Sequence, residues 1–287
     1  MRDLILCVLS TGGIFLAFRY FKNFGVNTPM AIVINYFVAA CLGWGLAGGV
    51  PAIYEAVEAP WFTTTVIMGA GFLFLFNMIA YCTRELGVAV ASVSTKLSLI
   101  IPATVFILID PSDNLSVEKI CAFTLAIIAI FLSSIGTSNS KVLGQTKSPL
   151  LLAVPAIIFL GSGGIDLVFG LNSDANPLIF TSVPFTVAFT MGLLARIIPK
   201  HRHPISTKDL IGGIILGVTN FGSLYYLLGA YENSGLDKSS VIPSLNIGVI
   251  IFSTLAAFAL FKEKPSAKTS WGLVLGLISI SVFLFSV

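Results

Sequence analysis

Charge is what this sequence lacks. Asp, Glu, Lys and Arg supply only 10% of its 287 residues, against about one-quarter in soluble domains, so a water-facing surface of the usual kind is excluded. Histidine is almost absent: His201 and His203 share one short polar stretch, which leaves no Ser–His pair or histidine metal cluster inside an apolar segment. No CxxC spacing occurs. Cys7, Cys41, Cys82 and Cys121 lie singly in or at the ends of apolar stretches and read as small interior hydrophobes rather than metal ligands, redox pairs or disulfides. A Gly-rich loop ending in Lys-Ser/Thr is also missing, so the chain does not hydrolyse ATP itself. The one acid well inside an apolar stretch, Asp166, cannot make an aspartyl dyad. Phe159-Leu160-Gly161-Ser162-Gly163-Gly164 places a serine among glycines with no base near it. Together these absences argue against an enzyme and leave no cofactor to propose. A net charge of +3 spread over loops excludes a nucleic-acid partner.

Apolar residues are what is present: 56% hydrophobic, with 23 Phe and 26 Gly and a mean hydropathy of +0.98. A transmembrane helix needs about 20 mainly apolar residues. Ten such segments follow one another, at about 3–21, 28–48, 60–82, 89–109, 117–136, 149–170, 177–197, 208–230, 237–261 and 267–286. Charges, Gly and Pro mark the breaks, among them Pro51 to Pro60, Asp110 to Glu118 and Ser138 to Pro149. Met1-Arg2-Asp3 followed by an apolar run reads as a first span rather than a signal peptide, because the run lacks a small-residue cleavage site and continues to about Tyr20. The expected fold class is an all-α polytopic membrane protein of ten transmembrane helices, with the lipid bilayer as its first partner.

The two halves resemble each other. A shift of 148 residues pairs Pro29 with Pro177, Phe37 with Phe185, Ala40 with Ala188, Gly87 with Gly235, Ser92 with Ser240 and Leu97 with Leu245. A shift of 151 aligns Gly12-Gly13-Ile14 with Gly163-Gly164-Ile165. An odd number of spans per repeat sends the second half into the membrane from the opposite side, the inverted arrangement of many secondary transporters. The expected organisation is a first five-helix repeat at 1–136, a connecting loop at 137–148 and a second repeat at 149–287.

From Tyr231 to Ile280 the chain carries Glu232, Gly235, a span with Pro243, then Leu260-Phe261-Lys262-Glu263-Lys264 and Trp271-Gly272 before a closing apolar helix. The first-half counterpart runs from Arg84-Glu85-Leu86-Gly87 through Pro102. In these features the chain resembles the EamA family of the drug/metabolite transporter superfamily, over essentially its whole length. It departs where that family has a Glu after the fourth span and this sequence has Asp110-Pro111-Ser112-Asp113. The resemblance implies a 5+5 inverted-repeat carrier of small metabolites or drugs in a cell membrane, most simply a bacterial inner membrane.

Orientation brings a conflict. Of the 16 Lys and Arg, twelve cluster at the ends and loops between spans 1–2, 3–4, 5–6, 7–8 and 9–10, while only Arg2, Lys119 and Lys238 mark the other side. The positive-inside rule then places both termini outside the cytoplasm, whereas the family resemblance implies cytoplasmic termini.

Lys96 is the most informative residue, a lone cation about seven residues into the fourth apolar segment. A charge there costs about 2.5–3.5 kcal/mol on an insertion scale and so faces a cavity or a partner. Ser92 and Thr95 share its helix face, and Pro102 deprives the Ser98 carbonyl of its helical donor, which predicts a kink. Span nine repeats the pattern with Pro243, Ser244 and Asn246. Two kinked, hydroxyl-rich helices would wall a polar cavity in which Lys96 binds a substrate carboxylate. The competing reading is a lysine that snorkels to the interface.

Asp166 is the candidate for binding an amine or carrying a coupling proton, or else a helix-end carboxylate beside Asn172. By span boundaries it lies about 13 Å from the level of Lys96. Asn77, Tyr81 and Tyr225 are candidate hydrogen-bonding ligands, though such side chains also join helices to one another. The expected function is secondary transport, export of a small-molecule substrate such as an amino acid, by alternating access about a central cavity. A multidrug or cation exporter is the nearest alternative. A non-transporting membrane protein, such as a lipid-modifying enzyme or assembly subunit, is the alternative of a different class.

Overall fold

The computed structural model describes residues 1–85, 88–111, 113–136, 149–196, 205–261 and 266–285. The predicted connecting loop at 137–148, both histidines, Leu86-Gly87 and Lys262-Glu263-Lys264 lie outside the described residues. Twelve helices are described: α1 (Arg2–Phe24), α2 (Thr28–Leu46), α3 (Val50–Glu58), α4 (Phe62–Glu85), α5 (Val88–Leu97), α6 (Ile100–Ile109), α7 (Val117–Gly136), α8 (Pro149–Leu171), α9 (Pro177–Ala195), α10 (Thr207–Asn233), α11 (Lys238–Phe261) and α12 (Ala267–Phe285). Seven of the described helices are long and apolar enough to cross a membrane, with Val93–Ile109 a shorter apolar stretch. Their exposed surfaces are apolar, as at Ile67, Leu108, Ile215 and Leu255. The chain is an all-helical, multi-pass membrane protein.

Two details refine the expected spans. Along the predicted fourth segment, α5 and α6 are separated by a tight turn at Ser98–Leu99, where Pro102 predicts a kink, and Leu99 keeps αR backbone angles. The break expected between Pro51 and Pro60 contains helix α3. Gly48 and Gly49, at φ of 100° and 74°, turn the chain out of α2 into that helix through a conformation that only glycine adopts without strain.

The contacts divide the chain into two units, each drawing helices from both sequence halves. One comprises Arg2–Phe74 and Asn172–Glu232. Here α2 and α9 have 19 residues each, both begin with an Asn cap (Asn27, Asn176) followed by proline in the first turn, and both lie against each other. They run antiparallel: Val33 meets Gly192, Tyr36 packs on Phe185 with centroids 6.3 Å apart, and the indole of Trp44 donates to Thr186 Oγ1 at 2.8 Å. Helix α10 meets α2 through Gly213 and Gly217 and α1 through Gly212 and Gly222. Its Asp209 side chain accepts from the backbone N–H groups of Asn27 (2.7 Å) and Ser206 (2.9 Å), capping α10 and tying it to the α1–α2 turn.

The other unit comprises Met1, Leu75–Leu171 and Asn233–Val287. Its centre is the pair α7 and α12, again antiparallel: Ser279 Oγ donates to the Ala122 carbonyl at 2.7 Å and Phe123 meets Phe283 edge-on at 5.1 Å, while Gly276 lies against Ala129. Hydrophobicity does not drive helices together in lipid, so small residues that admit close packing do. Gly69 of α4 is a clear instance, since a Cβ there would stand 2.7 Å from the Pro184 carbonyl oxygen. Gly69→Val is therefore expected to overpack this contact and cost about 1–3 kcal/mol, read as a lower unfolding temperature of the detergent-solubilised protein. An unchanged unfolding temperature would mean that α4 and α9 yield freely there.

Candidate substrate site at the broken fourth span

The missing N–H of Pro102 contributes to the break between α5 and α6. The Ser98 carbonyl, denied its i+4 donor, accepts instead from Ile101 N–H at 3.0 Å. Ser98 Oγ donates to the Thr95 carbonyl at 2.6 Å. The Lys96 carbonyl accepts from Leu99 N–H at 3.4 Å and from Asn246 Nδ2 of α11 at 3.5 Å. Side chains and a neighbouring helix thus supply the bonds that a continuous helix would have made, the condition on which non-helical backbone is tolerated at membrane depth.

Helix α8 closes on the break from the other side. A Cβ on Gly163 would stand 2.8 Å from the Ser98 carbonyl oxygen and 2.6 Å from Ile101 Cδ1, so glycine is required for this approach. Lower down, Ala91 clusters with Val154 and Ile158; α5–α6 and α8 therefore run parallel. Asp166, three residues beyond Gly163, shares its face and is level with about residue 102, roughly 9 Å along the axis from Lys96. The offset is smaller than span boundaries suggest but in the same sense.

The structure brings Lys96, Thr95, Asn246 and the Asp166 face into one unit, with changes to the expected roles. Lys96 is half-buried in the last turn of α5. The hydroxyls of Ser94 and Thr95 donate back to the carbonyls of Val90 (2.8 Å) and Ala91 (3.1 Å) of their own helix. Ser92 belongs to α5, but its side chain lies outside the described residues.

Span nine does not break: α11 runs unbroken through Pro243. Ser244 and Asn246 point to different sides of it, being about 200° apart around a helix of 3.6 residues per turn. Asn246 meets α5. Ser244 continues the stripe Ser240, Ser244 and Ile247, and Ile247 packs on Ala122, Ala126 and Phe283. Ser240 and Ser244 are fully buried and their hydroxyls have no hydrogen-bond partner among the described residues. Small buried residues of this kind admit close helix packing.

Asn77 and Tyr81 are exposed on the side of α4 away from α8, Tyr81 to 38%. Leu75 and Cys82 of the same helix face α8 instead, against Gly161 and Ile158. Tyr225 belongs to the other unit, where its ring stacks on Phe221 at 5.8 Å and meets Tyr226 edge-on at 5.1 Å. A groove of about 460 Å³ formed by Glu118 and the α12 residues Leu277, Ile278, Ser281, Val282 and Phe285 is apolar, opens outward and includes none of the residues at the break.

Sequence reasoning missed a buried ionic cluster. Lys119 Nζ lies 2.6 Å from Asp113 Oδ1 and 2.6 Å from Asp237 Oδ2. Asp113 also accepts from the N–H and the hydroxyl of Ser239, both at 2.8 Å. The Lys119 and Asp113 side chains are each 1% exposed. The residues come from the α6–α7 loop, the start of α7 and the start of α11; only Lys119, an outlier in the loop-charge count, hinted at a structural task.

The arrangement defines a class: a multi-pass helical membrane protein with an interrupted apolar segment and a lysine beside the interruption. No family model matches the chain. An uncharacterized protein of Haemophilus influenzae (strain Rd) is 24% identical over 294 residues, covering 98% of this chain and 96% of that protein. A protein solved by crystallography superposes with a TM-score of 0.77 at 12% identity, covering 98% of this chain and 94% of its own. At that identity the likeness concerns the fold alone.

Removing one member of a buried ion cluster leaves a charge uncompensated, at a cost of about 3–5 kcal/mol. Lys119→Met is expected to lower the unfolding temperature accordingly, and the triple variant Asp113→Asn, Lys119→Met, Asp237→Asn to recover most of the loss. Equal stability of the single variant and the wild type would show that the cluster holds nothing together.

Proposed function

We propose that this protein is a secondary active transporter, an exporter of small carboxylate-bearing metabolites such as amino acids, working by alternating access, with no catalytic activity of its own. The observation that carries the reading is the interruption of the fourth span beside Lys96. Discontinuous helices near the bilayer midplane are where secondary transporters hold substrates and coupling ions, because freed backbone groups and half-helix ends supply polar contacts without a hydrated pore. A lysine retained at that depth fits an anionic substrate group, since an intramembrane charge without a task is selected against.

The proposed architecture is ten spans in two inverted five-helix repeats, with α5 and α6 together forming one span. Support comes from the matched pairs. Helices α2 and α9 have the same length, the same Asn cap and the same proline turn, and run antiparallel; α7 and α12, the closing helices of the two halves, are antiparallel as well. That is the relation an inverted repeat imposes on equivalent spans. The reading agrees with the EamA-like features of the sequence. By the distribution of Lys and Arg, both termini face away from the cytoplasm.

The test is thermal unfolding of the purified protein in detergent against amino acids, nucleosides, organic acids and lipophilic cations. A ligand at 100 times its dissociation constant adds about 2.7 kcal/mol to stability. Stabilisation by a carboxylate-bearing metabolite is expected. In Lys96→Met, which still inserts and folds, the affinity for that metabolite falls at least tenfold, about 1.4 kcal/mol. Undiminished affinity in that variant would refute the role of Lys96. Stabilisation by lipophilic cations alone would favour the multidrug reading and move the site to Asp166.

A further inference from the structure

Helix α3 has three faces, and each has a different neighbour. At about 100° per residue, Ala52 and Ala56 fall together on one side, Glu55 and Glu58 on a second, and Val50, Ile53, Tyr54 and Val57 on a third. The alanines are buried, at 2% and 1% exposure, against Ile179 and Val183 of α9, with Trp44, Trp61, Phe62 and Val66 packed around them. Both glutamates are exposed. The four large apolar residues are exposed too: Val50 63%, Ile53 42%, Tyr54 69% and Val57 55%. Their spacing of i, i+3, i+4 and i+7 is that of an apolar stripe meant for burial. A helix bathed in water has no reason to keep such a stripe apart from its acids, and the alanine face already satisfies the contact with the protein.

We infer that α3 is an interfacial helix whose Val50–Ile53–Tyr54–Val57 face is seated in the lipid headgroup and acyl boundary. Its position in the chain supplies the occupant. Helix α3 connects the end of α2 to the start of α4, both long and apolar enough to cross a membrane, so it lies at the level where those helices leave the hydrocarbon. The apolar surface continues onto Leu46, 63% exposed at the end of α2. Trp44 and Trp61 flank the helix, and Tyr54 sits within the stripe, the residue types that settle at headgroup level. The geometry is that of an amphipathic segment lying in the interface plane: alanines toward the protein, glutamates toward water, the apolar stripe toward lipid. The positive-φ pair Gly48–Gly49 allows the turn from a spanning helix into this in-plane one. Pro60, one residue beyond the extended Ala59, ends it.

The inference rests on the multi-pass reading but not on transport. It is tested with nitroxide labels at single cysteines, in a background with Cys7, Cys41, Cys82 and Cys121 replaced by alanine, in phosphatidylethanolamine–phosphatidylglycerol liposomes. Labels are placed by Ile53→Cys and Val57→Cys on the apolar face and by Glu55→Cys and Glu58→Cys on the acidic face. Ile67→Cys, on the exposed side of α4, serves as the lipid-facing reference. Accessibility to oxygen, which concentrates in lipid, is compared with accessibility to a water-soluble nickel chelate. The ratio is expected to be severalfold higher at 53 and 57 than at 55 and 58, and to approach that at 67. Equal nickel access at all four α3 positions, with 67 still protected, would overturn the interfacial seat alone; nickel access at 67 as well would overturn the multi-pass reading itself. Spin–spin broadening at 53 that disappears on dilution with unlabelled protein would overturn it differently, by showing that a second copy covers the stripe.

Discussion

Every structural choice in this protein answers to one constraint: a backbone N–H or C=O inside the hydrocarbon has no water to bond and must find a protein partner. The fourth span shows how the constraint is met when it is hardest. Prolines occur within α8, α9 and α11 at Pro155, Pro184 and Pro243 without ending those helices, so Pro102 alone does not explain the separation of α5 from α6. What differs is the supply of substitutes. Ser98 offers its hydroxyl to the Thr95 carbonyl, Asn246 reaches the Lys96 carbonyl, and Gly163 lets another helix close over the Ser98 carbonyl. The break is built by three helices.

The same economy governs charge. Lys119 is almost wholly buried, but two carboxylates and a serine surround the cluster, which joins a loop and two helix starts and sets the register of α7 against α11. Such clusters are weak sources of net stability and stronger sources of geometric definition, because displacing one member strands the others. Lys96 occupies a different kind of position, the last turn of α5 next to the turn into α6. One lysine specifies an assembly of loops and helix ends, and the other is the chemical feature on which the proposed substrate site depends.

Close packing does the remaining work. In lipid the apolar stripe of a helix gains nothing by meeting another apolar stripe, so association depends on how near two backbones can come. Gly69, Gly163, Gly213 and Gly217 sit where an added Cβ would meet a backbone oxygen at 2.9 Å or less. Ser240 and Ser244 of α11 are buried small residues as well.

The sequence by itself determined the class of protein, because composition and the length of apolar segments are local properties set by the solvent whatever the partners. Lys96 and Pro102 were legible, since each is a departure from a monotonous apolar background. Which face of each helix meets which neighbour was not. Ser244 and Asn246, two residues apart, diverge by more than half a turn, and only the packing of α11 between α5 and α7 decides that Asn246 reaches the break while Ser244 does not. Asn77 and Tyr81 were placed away from α8 by Leu75 and Cys82. The Asp113–Lys119–Asp237 cluster spans more than a hundred residues of sequence and carries no periodic signal. Apolar periodicity is weak when nearly every face is apolar, so helix rotation is set by glycine contacts and buried polar pairs, and those exist only once the chain has folded.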